Sequence, residues 1–552
     1  MLNLPLASPN LQRDRFTQQR NESRLSIALA ALSVAALVYY YAHQQLLLYG
    51  DAVAHLNIAR RVVDNRHPLE SYGQIGTVWL PLQHIAMLPF VWVDTLWRSG
   101  IAGAIPGMVA FVLGALGIFR LVNARAGATA ACAAAAIYAL NPNLLYMQTT
   151  AMNEPIFLAF FVWSLVYFDE FLRATSPAPG VASARLRPRR ALEYCGATMA
   201  GGALTRYDGW FSAAILGVLL LTVFLRWWPH IDDARLRRSA AKSFAEVLLL
   251  NGLVPVYWLV YTWAVSGHPL DFANGPYSAK AIALRSAAHG APPYPGQDHI
   301  LTAGLYFLKA GQLNMGTPPL GRALLVLALL GTAIAAWRFR RYSILLLLWI
   351  PLAFYALSIA YGSVPIYMPV WYPFSYYNVR YGLELLPVFA VFPVIFASAV
   401  TERVEYRLLR TAVWSALLAG LVGAAYLSAY AETPITLREA QVNSRNRLAL
   451  EEGLATALGQ LPPSSTVLMY AAEHAGALRM AGMPLRRVIS ENEHPEWEWA
   501  LIDPAHDADY AVACQGDPVW AAIHEHASRF ESMVTVSAPW QASCTVYKRK
   551  QD

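Results

Sequence analysis

The chain has 552 residues, of which 56% are hydrophobic and only 14% charged, and it carries 17 Trp and 29 Tyr. That balance excludes an ordinary soluble multidomain protein and marks a polytopic α-helical membrane protein. The formal net charge of +7 is explained by basic loops between apolar runs, so it calls for no nucleic acid partner.

Taken in chain order, the opening "MLNLPLASPNLQRDRFTQQRNESR" is polar and the apolar run behind it is long. Residues 1–23 therefore read as a cytoplasmic tail before a retained anchor, not as a cleaved leader. A helix needs about 20 apolar residues to cross the hydrocarbon core. Runs of that kind lie near 24–48, 101–122, 127–148, 151–172, 192–207, 210–226, 246–264, 323–337, 343–361, 383–400 and 411–429, which predicts about eleven spans. With the N-terminus inside, the first tail and the loops 120–126, 173–191, 226–243, 338–342 and 401–410 are cytoplasmic. They hold more than half of the 42 Lys and Arg, as the preference of basic loops for the cytoplasm requires. The same topology sets Asp51, the loop 265–322 and everything after 430 on the extracytoplasmic side of the inner or plasma membrane.

"TVWLPLQHIAMLPFVWVDTLW" is apolar too, yet counting it as a crossing would invert every later loop. It is predicted to be a re-entrant or interfacial helix pair. Residues 24–430 then form the membrane domain. In 431–552 acidic residues outnumber basic ones, and "TVLMY", "LRRVIS", "DYAVAC" and "SCTVYK" alternate with helical stretches. That pattern predicts a small extracytoplasmic α/β domain. Cys514 and Cys544 fall on candidate strands in an oxidising compartment, where a disulfide is available but not fixed by spacing. Cys132 and Cys195 read as small buried hydrophobes. The run "SENEHPEWEWA" lacks metal-ligand spacing and reads as a solvated charged face.

Ionisable groups gather on the outer side. In "GDAVAHLNIARR", Asp51 and His55 are four apart and share a helix face, with Val53, Leu56, Ala59 and Val63 as an apolar stripe. Asp51 at the start of such a surface helix suits either a cap or a catalytic group, and Arg60 and Arg61 suit lipid headgroups. Glu154 before Pro155 likewise fits a helix start. Both carboxylates nevertheless fall on one membrane face. Cations stand beside aromatics at Arg206 in "LTRYDGW", Lys280 and Arg285 in "YSAKAIALRSA", Lys309 in "YFLKAGQ" and Arg380 in "YYNVRYGLELLP". Snorkelling accounts for Arg285 and Lys309. Arg380 follows the aromatic loop "MPVWYPFSYYN" and suits a two-pronged grip on phosphate.

The succession "GDAVAHLNIARR", "TVWLPLQH", "NP…TTAMNEP", "LTRYDGW", "VRYGLELLP" resembles the polytopic glycosyltransferases of the GT-C fold, in particular the dolichyl-phosphate-mannose-protein mannosyltransferase-like group, family 39. The resemblance covers about residues 24–430 and leaves the tail outside. It implies transfer of a sugar from a polyprenyl phosphate to a protein, lipid or glycan acceptor at the outer leaflet. It also implies that Asp51 is the catalytic acid of the first loop and Glu154 the second acidic position. His84 matches the element after the first loop, and Arg380 and Tyr381 match the late element. Many relatives carry two adjacent acids where this chain has Gly50 then Asp51.

A glycosyl phosphate needs an acceptor deprotonated and a departing phosphate steadied. Asp51 is accordingly expected as the base of an inverting transfer with His55 as its support, Glu154 as a group that orients the acceptor or helps hold a divalent ion, and Arg380 with Arg206 or Lys280 on phosphate. Whether a divalent metal takes part is left open. A transporter or flippase of lipid-linked sugars, or a non-catalytic relative in an envelope complex, is the competing reading, although paired halves typical of transporters are not seen. The "WWD" element of oligosaccharyltransferases is missing.

Overall fold

The computed structural model describes residues 9–175, 187–230, 234–288, 290–402 and 406–550. Among them, nine helices are long and apolar enough to cross a membrane, fewer than the expected eleven. Two runs account for the difference. The stretch 127–148 divides into a helix Ala128–Ala139 and a short helix Pro142–Met147. The Asn141 side chain between them accepts hydrogen bonds from the backbone N–H groups of Asn143 and Leu144, capping the second helix at its proline start. The stretch 192–207 becomes a 17-residue helix, Arg187–Ala203, which falls outside the nine. The segment predicted to be re-entrant is indeed two short helices, Leu82–Val91 and Asp94–Ser99.

Long helices approach one another closely where a side chain would not fit. A Cβ on Gly331, in the helix Pro318–Trp337, would lie 1.9 Å from the Phe392 carbonyl oxygen. Glycine lets the two backbones meet there. At the helix ends away from the Gly50–Val63 helix, ion pairs join neighbours: Arg125 with Asp169, which is buried, and Arg120 with Glu22 and Arg338 and Arg341 with Glu402, which are partly exposed. Cys195 is buried, whereas Cys132, expected to be buried, is exposed on an apolar helix.

After the helix Arg407–Glu432 the chain turns at once into a second helix, Ile435–Gly459. A five-stranded sheet follows: β1 (Val467–Met469), β2 (Val488–Ile489), β3 (Tyr510–Cys514), β4 (Phe530–Val536) and β5 (Cys544–Arg549), in the spatial order β2-β1-β3-β5-β4. β1 runs parallel to β2 and β3, and β5 antiparallel to β3 and β4. Cys514 and Cys544 face each other across β3 and β5 and form a disulfide.

The tail is seated on the membrane helices rather than tethered to them. One continuous apolar core contains Leu144, Phe389 and Val422 from the membrane portion together with Leu437, Leu454, Met469 and Val512 from the tail. Polar clamps reinforce it. Arg66 grips Glu496 with two nitrogens, at 2.6 and 2.8 Å, and Asp64 accepts from Arg486 at 2.8 Å and from the Leu485 backbone at 3.1 Å. Glu496, read from sequence as part of a solvated face, is therefore a clamp residue.

Candidate active site

Asp51 lies in the first turn of Gly50–Val63, and the N-cap position belongs to Tyr49. Its carboxylate faces the middle of the molecule instead, where Arg380 Nη2 donates to Oδ2 at 2.5 Å. Arg380 stands in the 3-10 turn Val379–Leu385 that leads into the helix Leu386–Thr401. Two contacts set that turn: Asn314 Nδ2 donates to the Val379 carbonyl at 2.8 Å, and Gly382 packs so tightly that a Cβ would lie 2.3 Å from the Ala310 carbonyl carbon.

Each side-chain nitrogen of Arg380 meets a different carboxylate. Nη2 reaches Asp51, Nε reaches Glu154 Oε1 at 3.2 Å, and Nη1 reaches Glu439 Oε1 at 3.2 Å. Glu154 is fully buried at the start of Glu154–Thr175. Glu439 comes from the helix Ile435–Gly459; its other oxygen accepts the Arg380 backbone N–H at 3.1 Å and the Tyr49 hydroxyl at 3.4 Å. Of the three acids only Asp51 is open, with 41% of its side chain exposed against 0% for Glu154 and 1% for Glu439.

Arg206 makes a second node beside the first. It meets Glu154 at 3.4 Å, Asp208 at 3.1 Å and Glu384 at 3.2 Å. It also donates to Asn153 Oδ1 at 2.5 Å and to the Tyr355 hydroxyl at 2.7 Å, and Tyr355 in turn donates to Glu384 at 2.9 Å. The Tyr381 ring lies against both guanidinium groups, 4.9 Å from Arg380 and 5.0 Å from Arg206. Five carboxyl groups thus surround two arginines, and each buried one has an oxygen within 3.4 Å of a guanidinium nitrogen.

Beneath Asp51, His55 Nδ1 and His84 Nε2 are 2.8 Å apart, one ring donating and the other accepting. The Trp79 ring covers His55 at 4.5 Å. Burial, aided by the positive charges of Arg206 and Arg380, pushes the His55 imidazole down to about 3, so the pair is neutral and acts as a polar floor.

The fold therefore gathers Asp51, His55, His84, Glu154, Arg206, Arg380 and Tyr381. Lys280 stands apart, on the exposed helix Ala279–Ala288, where its Nζ donates to Asn274 Oδ1 at 3.3 Å. Glu439, Asp208, Glu384, Tyr49 and Tyr355 join the cluster without having been singled out in the sequence. Asp208 and Glu384 sit inside "LTRYDGW" and "VRYGLELLP", next to residues that were. Asp51, Glu154 and Glu439 each turn an oxygen to Arg380, so a guanidinium occupies the point on which these three converge. His474, Cys514 and Cys544 also lie together, but both sulfurs are committed to the disulfide.

No protein family profile matches the chain, and no curated protein sequence does. Solved structures do resemble it. ArnT from Cupriavidus metallidurans bound to undecaprenyl phosphate aligns with a TM-score of 0.53 at 13% identity, over 94% of this chain and 97% of that one. The apo state of the same protein aligns with a TM-score of 0.52 at 13% identity, over the same shares. The oligosaccharyltransferase AglB from Archaeoglobus fulgidus, in complex with an inhibitory peptide and a dolichol-phosphate, gives a lower TM-score of 0.46 at 14% identity, over 97% of this chain and 75% of that one. With 94% of this chain aligned to ArnT, the likeness reaches well into the tail, which the sequence motifs had left outside. In its membrane helices, its first outer helix and its seated tail, the chain has the GT-C fold of the membrane glycosyltransferases.

Proposed function

We propose that the protein is a membrane glycosyltransferase that moves a sugar from a polyprenyl-phosphate donor to an acceptor hydroxyl, with inversion, on the extracytoplasmic side of the cytoplasmic membrane. The observation that carries the reading is the asymmetry of the acids around Arg380: two are buried and locked, and Asp51 alone is open to an incoming hydroxyl. The fold shared with ArnT supports the class of reaction.

In this reading Asp51 takes the proton of the acceptor hydroxyl as its oxygen bonds to the anomeric carbon. The bond from that carbon to the lipid phosphate oxygen breaks, and the phosphate leaves with the electron pair. Arg380 serves both partners. In the resting site its Nη2 neutralises Asp51; when donor enters, the phosphate competes for that nitrogen and Asp51 turns toward the hydroxyl. Glu154 and Glu439 hold the guanidinium in place throughout, and Arg206 adds positive charge where the phosphate departs. Lys280 stands outside this centre and serves as an outer contact for the donor phosphate on its way in. His55 and His84 support the helix that carries Asp51. The donor lipid reaches the site from the bilayer between apolar helices, and a protein, lipid or glycan acceptor arrives from the aqueous side.

The test is transfer of label from a panel of radiolabelled polyprenyl-phosphate sugars by the protein in lipid nanodiscs. Turnover lost in Asp51→Asn with normal membrane insertion supports the reading, and turnover retained in that variant overturns the role of Asp51. Labelled lipid crossing a bilayer without transfer would replace the reading with a transporter.

A further inference from the structure

The helix Ile435–Gly459 has two working faces. One carries Glu439 into the arginine cluster. The other presents Arg438, Gln441, Val442, Arg445 and Asn446 to a groove of about 620 Å³, closed on its far side by Pro539 and Trp540 from the β4–β5 connection. Positions 438, 441, 442 and 445 follow the spacing of a single helical face. Neither the Arg438 nor the Arg445 guanidinium has a hydrogen-bond or ion-pair partner among the described residues, and the side-chain amides of Gln441 and Asn446 have none either. Every other arginine of the tail is engaged: Arg447 with Glu451, Arg486 with Asp64, Arg529 with Asp503, Arg549 with Asp509, and Arg479 and Arg487 with backbone carbonyls. Two unengaged guanidinium groups in one groove are a recognition feature in a segment whose acids outnumber its bases.

Trp540 makes the groove more than an anion site. It is 94% exposed, and its backbone sits in the left-handed region at φ 61°, which a bulky residue adopts at a cost. A flat, rigid aromatic held in water beside hydrogen-bonding amides offers a stacking surface for the C–H face of a sugar ring. The two arginines are seven helical positions apart, which is about 10 Å along the axis. Negative charges at that interval fit a sugar chain that carries an acid on every second unit.

We propose that this groove binds an anionic saccharide chain with carboxylate or phosphate groups on alternate sugars. Arg438 and Arg445 take the charges and Trp540 stacks on a ring between them. The assignment of this chain to the acceptor rests on the glycosyltransferase reading, since Glu439, next to Arg438 on the same helix, reaches Arg380; the binding itself does not.

The full-length protein in phosphatidylcholine nanodiscs is titrated with hyaluronan hexasaccharide, whose carboxylates alternate along the chain, and with neutral chitohexaose, following tryptophan fluorescence and calorimetry. The hyaluronan fragment is expected to bind at least tenfold more tightly. Arg438→Gln/Arg445→Gln is expected to lose at least tenfold and Trp540→Ala about fivefold, with unfolding temperatures unchanged because all three side chains are at the surface. Equal binding of the two oligosaccharides, or an unchanged double variant, overturns the anion assignment. Equal binding of polyglutamate, or no effect of Trp540→Ala, overturns the saccharide assignment. Loss of hyaluronan binding in phosphatidylglycerol nanodiscs gives the groove to a lipid headgroup and overturns the proposal likewise. Asp51→Asn separates the two readings: it is expected to stop transfer and leave hyaluronan binding intact.

Discussion

Glu439 holds Arg380 from two directions, taking its backbone N–H with one oxygen at 3.1 Å and its guanidinium with the other at 3.2 Å, across 59 residues of chain. This grip makes the tail part of the site. Removing one partner of a buried ion pair costs about 3–5 kcal/mol. Glu439→Ala is expected to lower the unfolding temperature and to abolish transfer, whereas Glu439→Gln keeps the shape and one hydrogen bond and retains partial transfer. Thermal unfolding and initial rates of the two variants in detergent check this; an Ala variant as stable and active as the parent would remove Glu439 from the site.

Asp51→Asn leaves the hydrogen bond from Arg380 in place and removes the basic lone pair. General-base catalysis contributes on the order of 100- to 10,000-fold, so transfer is expected to fall by that factor while the protein still inserts normally in the membrane. Single-turnover rates with labelled donor measure it.

Arg380→Lys replaces a fork that satisfies three acids by a point charge. Glu154, fully buried, then loses its closest contact to that side chain. Transfer is expected to drop more than 100-fold, with a larger loss in kcat than in KM, because in the proposed mechanism the guanidinium is needed most as phosphate departs. Steady-state kinetics with the preferred donor separate the two constants.

His474 is buried in the tail, and burial pushes its imidazole down to about 4 from an ordinary 6.5. The unfolded chain binds the proton more readily, so stability is full above pH 6.5 and declines as pH falls toward 4, by about 3 kcal/mol in all. Asp517 works against this: burial raises it to about 6 from 3.8, so it adds stability as pH falls from 6 toward 3.8. The difference between parent and His474→Gln, followed by denaturant unfolding from pH 7.5 to 4.5, isolates the histidine. A parent curve that parallels the variant across that range would refute it.

The disulfide Cys514–Cys544 closes a sequence interval of 30 residues, for which about 3–4 kcal/mol of stabilisation is typical. Cys514→Ser/Cys544→Ser is expected to lower the unfolding transition of the tail by that amount, and the loss should carry over to transfer because Glu439 belongs to the same packed unit.

Much of the site is legible in the sequence because its residues sit in short polar motifs within otherwise apolar surroundings. Asp51, Glu154, Arg206 and Arg380 stand out for that reason, and the fold brings them together from positions up to 329 residues apart. Glu439 is not legible. It lies in "ITLREAQVNSRNRLALEEG", a helix polar on most sides, and nothing in its periodicity separates the acid that is buried from those that are wet. Lys280 is conspicuous in sequence yet remote in space, since a cation beside aromatics marks an interface as readily as a phosphate site. The sequence does not show that the apolar stretch 127–148 is divided at Asn141 and Pro142, because hydropathy averages over the break that the asparagine cap and proline impose.

The clamps between the first outer helix and the tail bear on how the molecule is made. Asp51 is synthesised 329 residues before Arg380, and Glu439 another 59 residues later. Until that last segment emerges, the arginine and its acids have been delivered without their final partner, and Asp64 and Arg66 without Arg486 and Glu496. On the proposed reading, activity is expected only when the end of the chain has docked, and a partly synthesised or clipped product is expected to stay inert.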